Sequence, residues 1–182
     1  TIPDTVTMIG NNAFRDSVSL RTVRFGTGVT EIDKNAFIRD KQIAEITMTD
    51  SITKVASGAF AECEGLNKVT LSKALQTMGA FAFYNCDQLT EIEIPKSLKE
   101  TTNDYCPDYH YGYVDGPFYG CDGLKKIVFE EGTTKVANGL FAYCLGIEEI
   151  TIPDTVTMIG NNAFGDCVSL RTVRFGTGVT EI

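Results

Sequence analysis

The chain has 182 residues, 43% of them hydrophobic, enough to bury a core of ordinary domain size. Its 24 acidic against 16 basic side chains leave a net charge of −8, which makes nucleic acid and anionic membrane poor partner candidates, since both demand clustered Lys and Arg; no nucleic acid is expected. No run of 18 apolar residues occurs, so no membrane insertion is expected in this segment.

Taken in chain order, the sequence opens at Thr1-Ile2-Pro3 on strand-type residues, as if in mid-repeat, and is expected to be part of a longer array. A fixed period then takes over. Phe14, Phe37, Phe60, Phe83, Phe118, Phe141 and Phe164 are separated by 23, 23, 23, 35, 23 and 23 residues. Six residues after each Phe comes a Leu or Ile (Leu20, Ile43, Leu66, Leu89, Leu124, Ile147, Leu170), nine after comes a Val or Ile, and eleven after comes another apolar residue. Self-similarity at this period announces a solenoid whose core is shared between neighbouring coils, so residues 1–182 read as one array.

The first full unit, Leu20 to Phe25, alternates Val23 and Phe25 inward with Thr22 and Arg24 outward, the period-two pattern of a strand. Six equivalent segments follow, and the short coils between them require a parallel sheet with right-handed crossovers. A second, weaker apolar pair follows each strand, such as Val29 with Ile32 or Ile52 with Val55. Pro3, Pro95 and Pro153 share one position just past the strand, where a missing amide costs no interior ladder bond.

Cys63, Cys86, Cys121, Cys144 and Cys167 all fall three residues after the repeat Phe; Ser17 and Asp40 hold that place in the first two units. Stacked on successive coils about 5 Å apart with parallel Cα–Cβ vectors, they do not meet the converging geometry of a disulfide. A single file cannot wrap a zinc ion tetrahedrally either. They are expected to be free, buried thiols, and no metal or cofactor is expected.

Each unit thus reads Phe-x-x-Cys-x-x-Leu-x-x-Ile-x-Ile, seen whole from Ile159 through Phe164 and Cys167 to Leu170. With the Cys ahead of the strand, this pattern resembles the BspA-like leucine-rich repeats of bacterial and protozoan surface proteins, over essentially the entire chain except one insertion. The resemblance implies a right-handed leucine-rich-repeat solenoid of about seven 23-residue coils, an α/β-type repeat fold with a parallel β-sheet and little helix. It also implies an extracellular or cell-surface location and a non-catalytic, adhesin-like role with a host or matrix protein as ligand. A spacer or stalk holding another domain off a cell envelope is the alternative.

Between Phe83 and Phe118 the period stretches by twelve residues, within 101–117. This insertion in the fifth coil holds Tyr105, Tyr109, Tyr111 and Tyr113 and the only histidine, His110. Insertions on a rigid repeat scaffold go to surface loops, and tyrosine supplies contact area at low entropic cost. The rings are expected either to bind a partner from the rim or back of the solenoid or to cover its flank. Cys106 with His110 is the only candidate nucleophile and base, and it lacks a recognisable orienting group or oxyanion donor. Asp104, Asp108 and Asp115 lack the spacing of a calcium loop.

The outward sheet positions are the other candidate surface, with Arg24, Glu45, Lys68, Glu91, Glu93, Lys126, Glu149 and Arg174 as its charged members. Finally, residues 1–32 recur as 151–182 with two differences, Arg15 for Gly165 and Ser17 for Cys167. A parent array of near-identical super-repeats, or an artificial fusion of repeated modules, accounts for this.

Overall fold

A computed structural model describes residues 1–102 and 115–182. It is a parallel-sheet solenoid of seven coils in which each residue lies beside its equivalent in the next coil. The register shows this directly: Met8 pairs with Glu31, Glu31 with Lys54, Lys54 with Thr77 and Thr77 with Glu100. The regular coil runs through Thr102 and resumes at Asp115, whose neighbours Gly116 and Pro117 accept hydrogen bonds from the amides of Phe81 and Phe83 at 3.0 and 2.8 Å.

Two columns of strand run down the molecule where the alternation pattern predicts one. The weaker apolar pair forms the more continuous column: Met8–Ile9, Glu31–Ile32, Lys54–Val55, Thr77–Gly79 and Glu100–Thr102 make a five-stranded sheet. Lys135–Val136 and Met158–Ile159 extend the same column beyond the insertion. The predicted strands instead form three separate pairs: Glu45–Thr47 with Lys68–Thr70, Glu91–Ile94 with Lys126–Phe129, and Glu149–Thr151 with Thr172–Arg174. In the first coil Val23 and Phe25 are buried as expected, but the segment joins no ladder. The expected little helix is none among the described residues. Turns of a few residues join the strands, too short to repay helix nucleation.

The turn around each repeat Phe forms a third hydrogen-bonded column. The amides of Phe14, Phe37, Phe60 and Phe141 each donate at 2.8 Å to the carbonyl of the alanine before the next Phe. This tight path needs left-handed backbone on both sides of the Phe. Two residues before it, positive φ occurs at Asn12, Asn35, Gly58, Phe81, Gly139 and Asn162; two residues after, at Asp16, Arg39, Glu62, Asn85, Gly120, Tyr143 and Asp166. Asn, Asp and Gly dominate because they tolerate that region at little cost.

Inside, the seven Phe rings form one stack with centroid spacings from 5.0 to 5.7 Å and interplanar angles of 17° or less. Phe37, Phe60, Phe83, Phe118 and Phe141 are fully buried together with Ile43, Leu66, Leu89, Leu124 and Ile147. Phe14 and Phe164 are only partly buried, since end coils are covered from one side. Replacing a central ring, Phe60→Ala, is therefore expected to destabilise by about 3–5 kcal/mol. The same change at Phe14 or Phe164 is expected to cost clearly less in denaturant melts, and equal losses would contradict a linear array.

Candidate functional site

The structure brings the charged sheet-face residues together in pairs. Glu45 meets Lys68 at 2.7 Å, Glu91 meets Lys126 at 2.6 Å and Glu149 meets Arg174 at 2.9 Å, each across one of the three strand pairs. These are exposed pairs, worth about 1 kcal/mol or less each. They neutralise one another and leave little unmatched charge for a ligand. Arg24 and Glu93 make no ion pair among the described residues. Both line shallow grooves, Arg24 between the unpaired first-coil segment and the first strand pair, Glu93 between the first and second strand pairs. Arg24 shares one of about 610 Å³ with Arg21, Thr22, Glu45, Thr47 and Thr49. Glu93 shares one of about 100 Å³ with Val69, Leu71, Lys73, Pro95 and Glu130.

A different surface emerges on the turn flank. Tyr84 and Tyr119 each follow a repeat Phe directly, and Tyr143 comes two residues after one, so the coil-on-coil register lines them up. Tyr119 stacks on Tyr143 with centroids 4.6 Å apart, and Tyr84 lies 5.8 Å from Tyr119. Beneath them Phe81 lies 5.5 Å from Tyr84 and 5.4 Å from Tyr119, in a small apolar cluster with Ile38, Ala61 and Ala80. This cluster is separate from the Phe stack. Phe81 and Tyr143 hold φ of 58° and 59°, a conformation costly for a bulky side chain.

The same flank is acidic. The Tyr143 hydroxyl donates to the Asp166 carboxylate, which holds its pKa above the usual phenol value. Asp122 is pushed up by burial and by neighbouring Asp87, against the hydrogen bond it accepts from the Leu145 amide. No Lys or Arg occurs in residues 79–89, 115–124, 137–147 or 160–170. Sequence reasoning missed this stripe, although a signal existed: every tyrosine outside the insertion falls in three consecutive coils at nearly one repeat position.

The insertion candidates, Tyr105, Tyr109, His110, Tyr111 and Tyr113, and the Cys106–His110 pair lie outside the described residues, as do Asp104 and Asp108. Among the described residues no group of three His, Cys, Asp or Glu side chains is placed to hold a metal ion.

The sequence pattern of the BspA type leucine-rich repeat region matches in six copies, over residues 1–109 and 114–182. The chain belongs to the BspA-type leucine-rich repeat family. Solved structures share the fold. A leucine-rich repeat protein from Bacteroides ovatus is 22% identical with a TM-score of 0.50, covering all of this chain and 67% of its own. The T. pallidum leucine-rich repeat protein is 21% identical with a TM-score of 0.55, covering 81% and 67%. The pneumococcal vaccine antigen PcpA is 24% identical with a TM-score of 0.59, covering 96% of this chain and 37% of its own. Among curated proteins none matches.

In this BspA-type solenoid the repeat cysteines act as hydrogen-bonding core residues. All five described cysteines are buried and free, and each thiol donates to the carbonyl of the repeat Phe one coil back, at 2.9 to 3.3 Å. Burial pushes the thiols of Cys63 and Cys121 up to about 12 and that of Cys167 up to about 11, and raises Cys86 and Cys144 well above the ordinary value. A thiol held neutral is neither a nucleophile nor a metal ligand at physiological pH. A soluble disulfide reagent at neutral pH is therefore expected to leave these five thiols unmodified in the native protein and to modify all of them on unfolding. Fast native labelling, or two or more disulfides among them by mass spectrometry, would contradict the ladder.

Proposed function

We propose that this chain is a non-catalytic, protein-binding module of a cell-surface or secreted protein, and that its partner docks on the aromatic flank of the fourth to sixth coils. The observation that carries this is the stripe of Tyr84, Tyr119 and Tyr143 over Phe81. Tyr84 and Tyr119 put half-buried rings where other coils have Arg15, Ile38, Ala61, Ala142 or Gly165, and Tyr143 does so one position on, where they have Asp16, Arg39, Glu62, Asn85, Gly120 or Asp166. Tyrosine is favoured at interfaces because a large rigid ring ordered in advance loses little entropy on binding. The self-paired charges of the sheet face support a structural role for that side instead. A surface location accords with the family and with PcpA, which is described as a vaccine antigen. The insertion tyrosines are the second candidate docking site.

Surface plasmon resonance against a panel of purified extracellular matrix proteins tests the binding role, and no binding to any member favours the spacer reading. For a protein that binds, Tyr84→Ala with Tyr119→Ala is expected to weaken affinity by about 2 kcal/mol or more, roughly thirtyfold. The melting transition is expected to move little, since Ala61 and Ala142 show that alanine suits the position. Arg24→Glu is expected to leave affinity unchanged. A loss confined to Tyr109→Ala with Tyr111→Ala would transfer the site to the insertion.

A further inference from the structure

The second coil breaks the thiol ladder. Where five later coils place cysteine it has Asp40, fully buried. One carboxylate oxygen, Oδ1, accepts the Ser17 amide at 2.6 Å. The other, Oδ2, is buried with no hydrogen-bond partner. The register says what is missing. Each thiol donates to the carbonyl of the repeat Phe in the preceding coil, so the group standing to Asp40 as the Phe37 carbonyl stands to Cys63 is the carbonyl of Phe14. A carboxylate turns only lone pairs toward that oxygen, whereas a carboxylic acid carries the proton the ladder needs.

The surrounding charges do not supply a substitute. On the first coil, Asp16 is ion-paired with Arg39 at 3.1 Å and with Arg15 at 3.5 Å, so both guanidinium groups are directed at another acid, although the buried Arg39 Nε makes no hydrogen bond. On the second coil, the Lys41 ammonium reaches outward to Glu64 at 2.6 Å. On the third, Glu62 and Cys63 add an acid and a neutral thiol. We propose that Asp40 is a proton-operated latch between the first and second coils, its protonated Oδ2 donating to the Phe14 carbonyl and its ionised form loosening that junction.

The titration supports this geometry. Burial raises the Asp40 carboxyl from 3.8 to about 6; the Ser17 amide opposes the shift and the Asp16 charge adds to it. Because the folded value lies above the unfolded one, the native state binds the extra proton. The stabilisation is fully present below the unfolded value, is lost as pH rises to about 6 and is absent beyond it. The latch is thus closed in mildly acid surroundings and released at neutral pH.

The near-duplicate segment 151–182 provides an internal reference, because Phe164 to Leu170 differs from Phe14 to Leu20 only at Gly165 and Cys167. Hydrogen–deuterium exchange on the whole chain at about pH 5 and about pH 7.5, corrected for intrinsic rates, is expected to show protection of the Phe14 to Leu20 amides falling at least about tenfold more than that of Phe164 to Leu170. Asp40→Asn, whose amide donates without titrating, and Asp40→Cys, the residue of the other coils, are each expected to abolish that difference while keeping the acid-state protection. Equal pH responses of the two segments in the wild type would overturn the latch. So would a pH response that persists in both variants, or protection in both that is lower at acid pH than in the wild type.

Discussion

Everything in this molecule follows from stacking like on like. Parallel ladders with a 23-residue offset, 35 across the insertion, force each side chain against its own equivalent about 5 Å away. Apolar residues satisfy that demand without adjustment, and the Phe stack is the result. Charges do not: two like charges about 5 Å apart repel by roughly 0.8 kcal/mol even in water, and by more near a protein surface. The outward strand positions answer by alternating, with Glu45 against Lys68 and Glu91 against Lys126, and Glu31 against Lys54 does the same on the second sheet at 2.8 Å. Thiols meet the demand in another way, each bonding to a carbonyl of the coil behind it and none facing a sulfur partner.

The period and its core were legible because the same requirement is written seven times. Phe14 through Phe164, the Leu or Ile six residues on, and the buried Val23 and Phe25 all occupy the places that alternation assigns. The second strand column was not legible as strand. It is two or three residues long in each coil, below the length at which period two can be recognised, and only its stacking reveals it. The left-handed turns were half legible: Asn12, Asn35 and Asn162 announce them, while Phe81, Arg39, Glu62 and Tyr143 contradict their local preference and are held there by the coils on either side.

The candidate site was harder to read for the same reason that the fold was easy. Attention goes to the insertion because it breaks the period, whereas Tyr84, Tyr119 and Tyr143 sit inside regular coils and look like ordinary turn residues. Their meaning comes from three successive coils choosing aromatics at neighbouring positions, a pattern across the repeats and not along the chain. The sheet-face charges showed the opposite case. Conspicuous in the sequence, six of the eight spend their charge on one another once stacked.

Phe81 lets the two demands on the flank be weighed. A bulky residue in left-handed backbone costs about 1–3 kcal/mol, and burying its ring returns about 1.5–3 kcal/mol, so the exchange is close to neutral for folding. Asn or Gly fills the same place in the six other coils without either term. Tyr143 carries the same backbone cost with its ring only half-buried, and so recovers less. Stability alone therefore gives no reason to prefer an aromatic at Tyr143, while the buried Phe81 ring forms the floor on which Tyr84 and Tyr119 rest. Along a solenoid whose strands are committed to self-pairing, the turns are where a coil can depart from its neighbours without breaking a ladder, and the aromatic departures gather on the flank of the fourth to sixth coils.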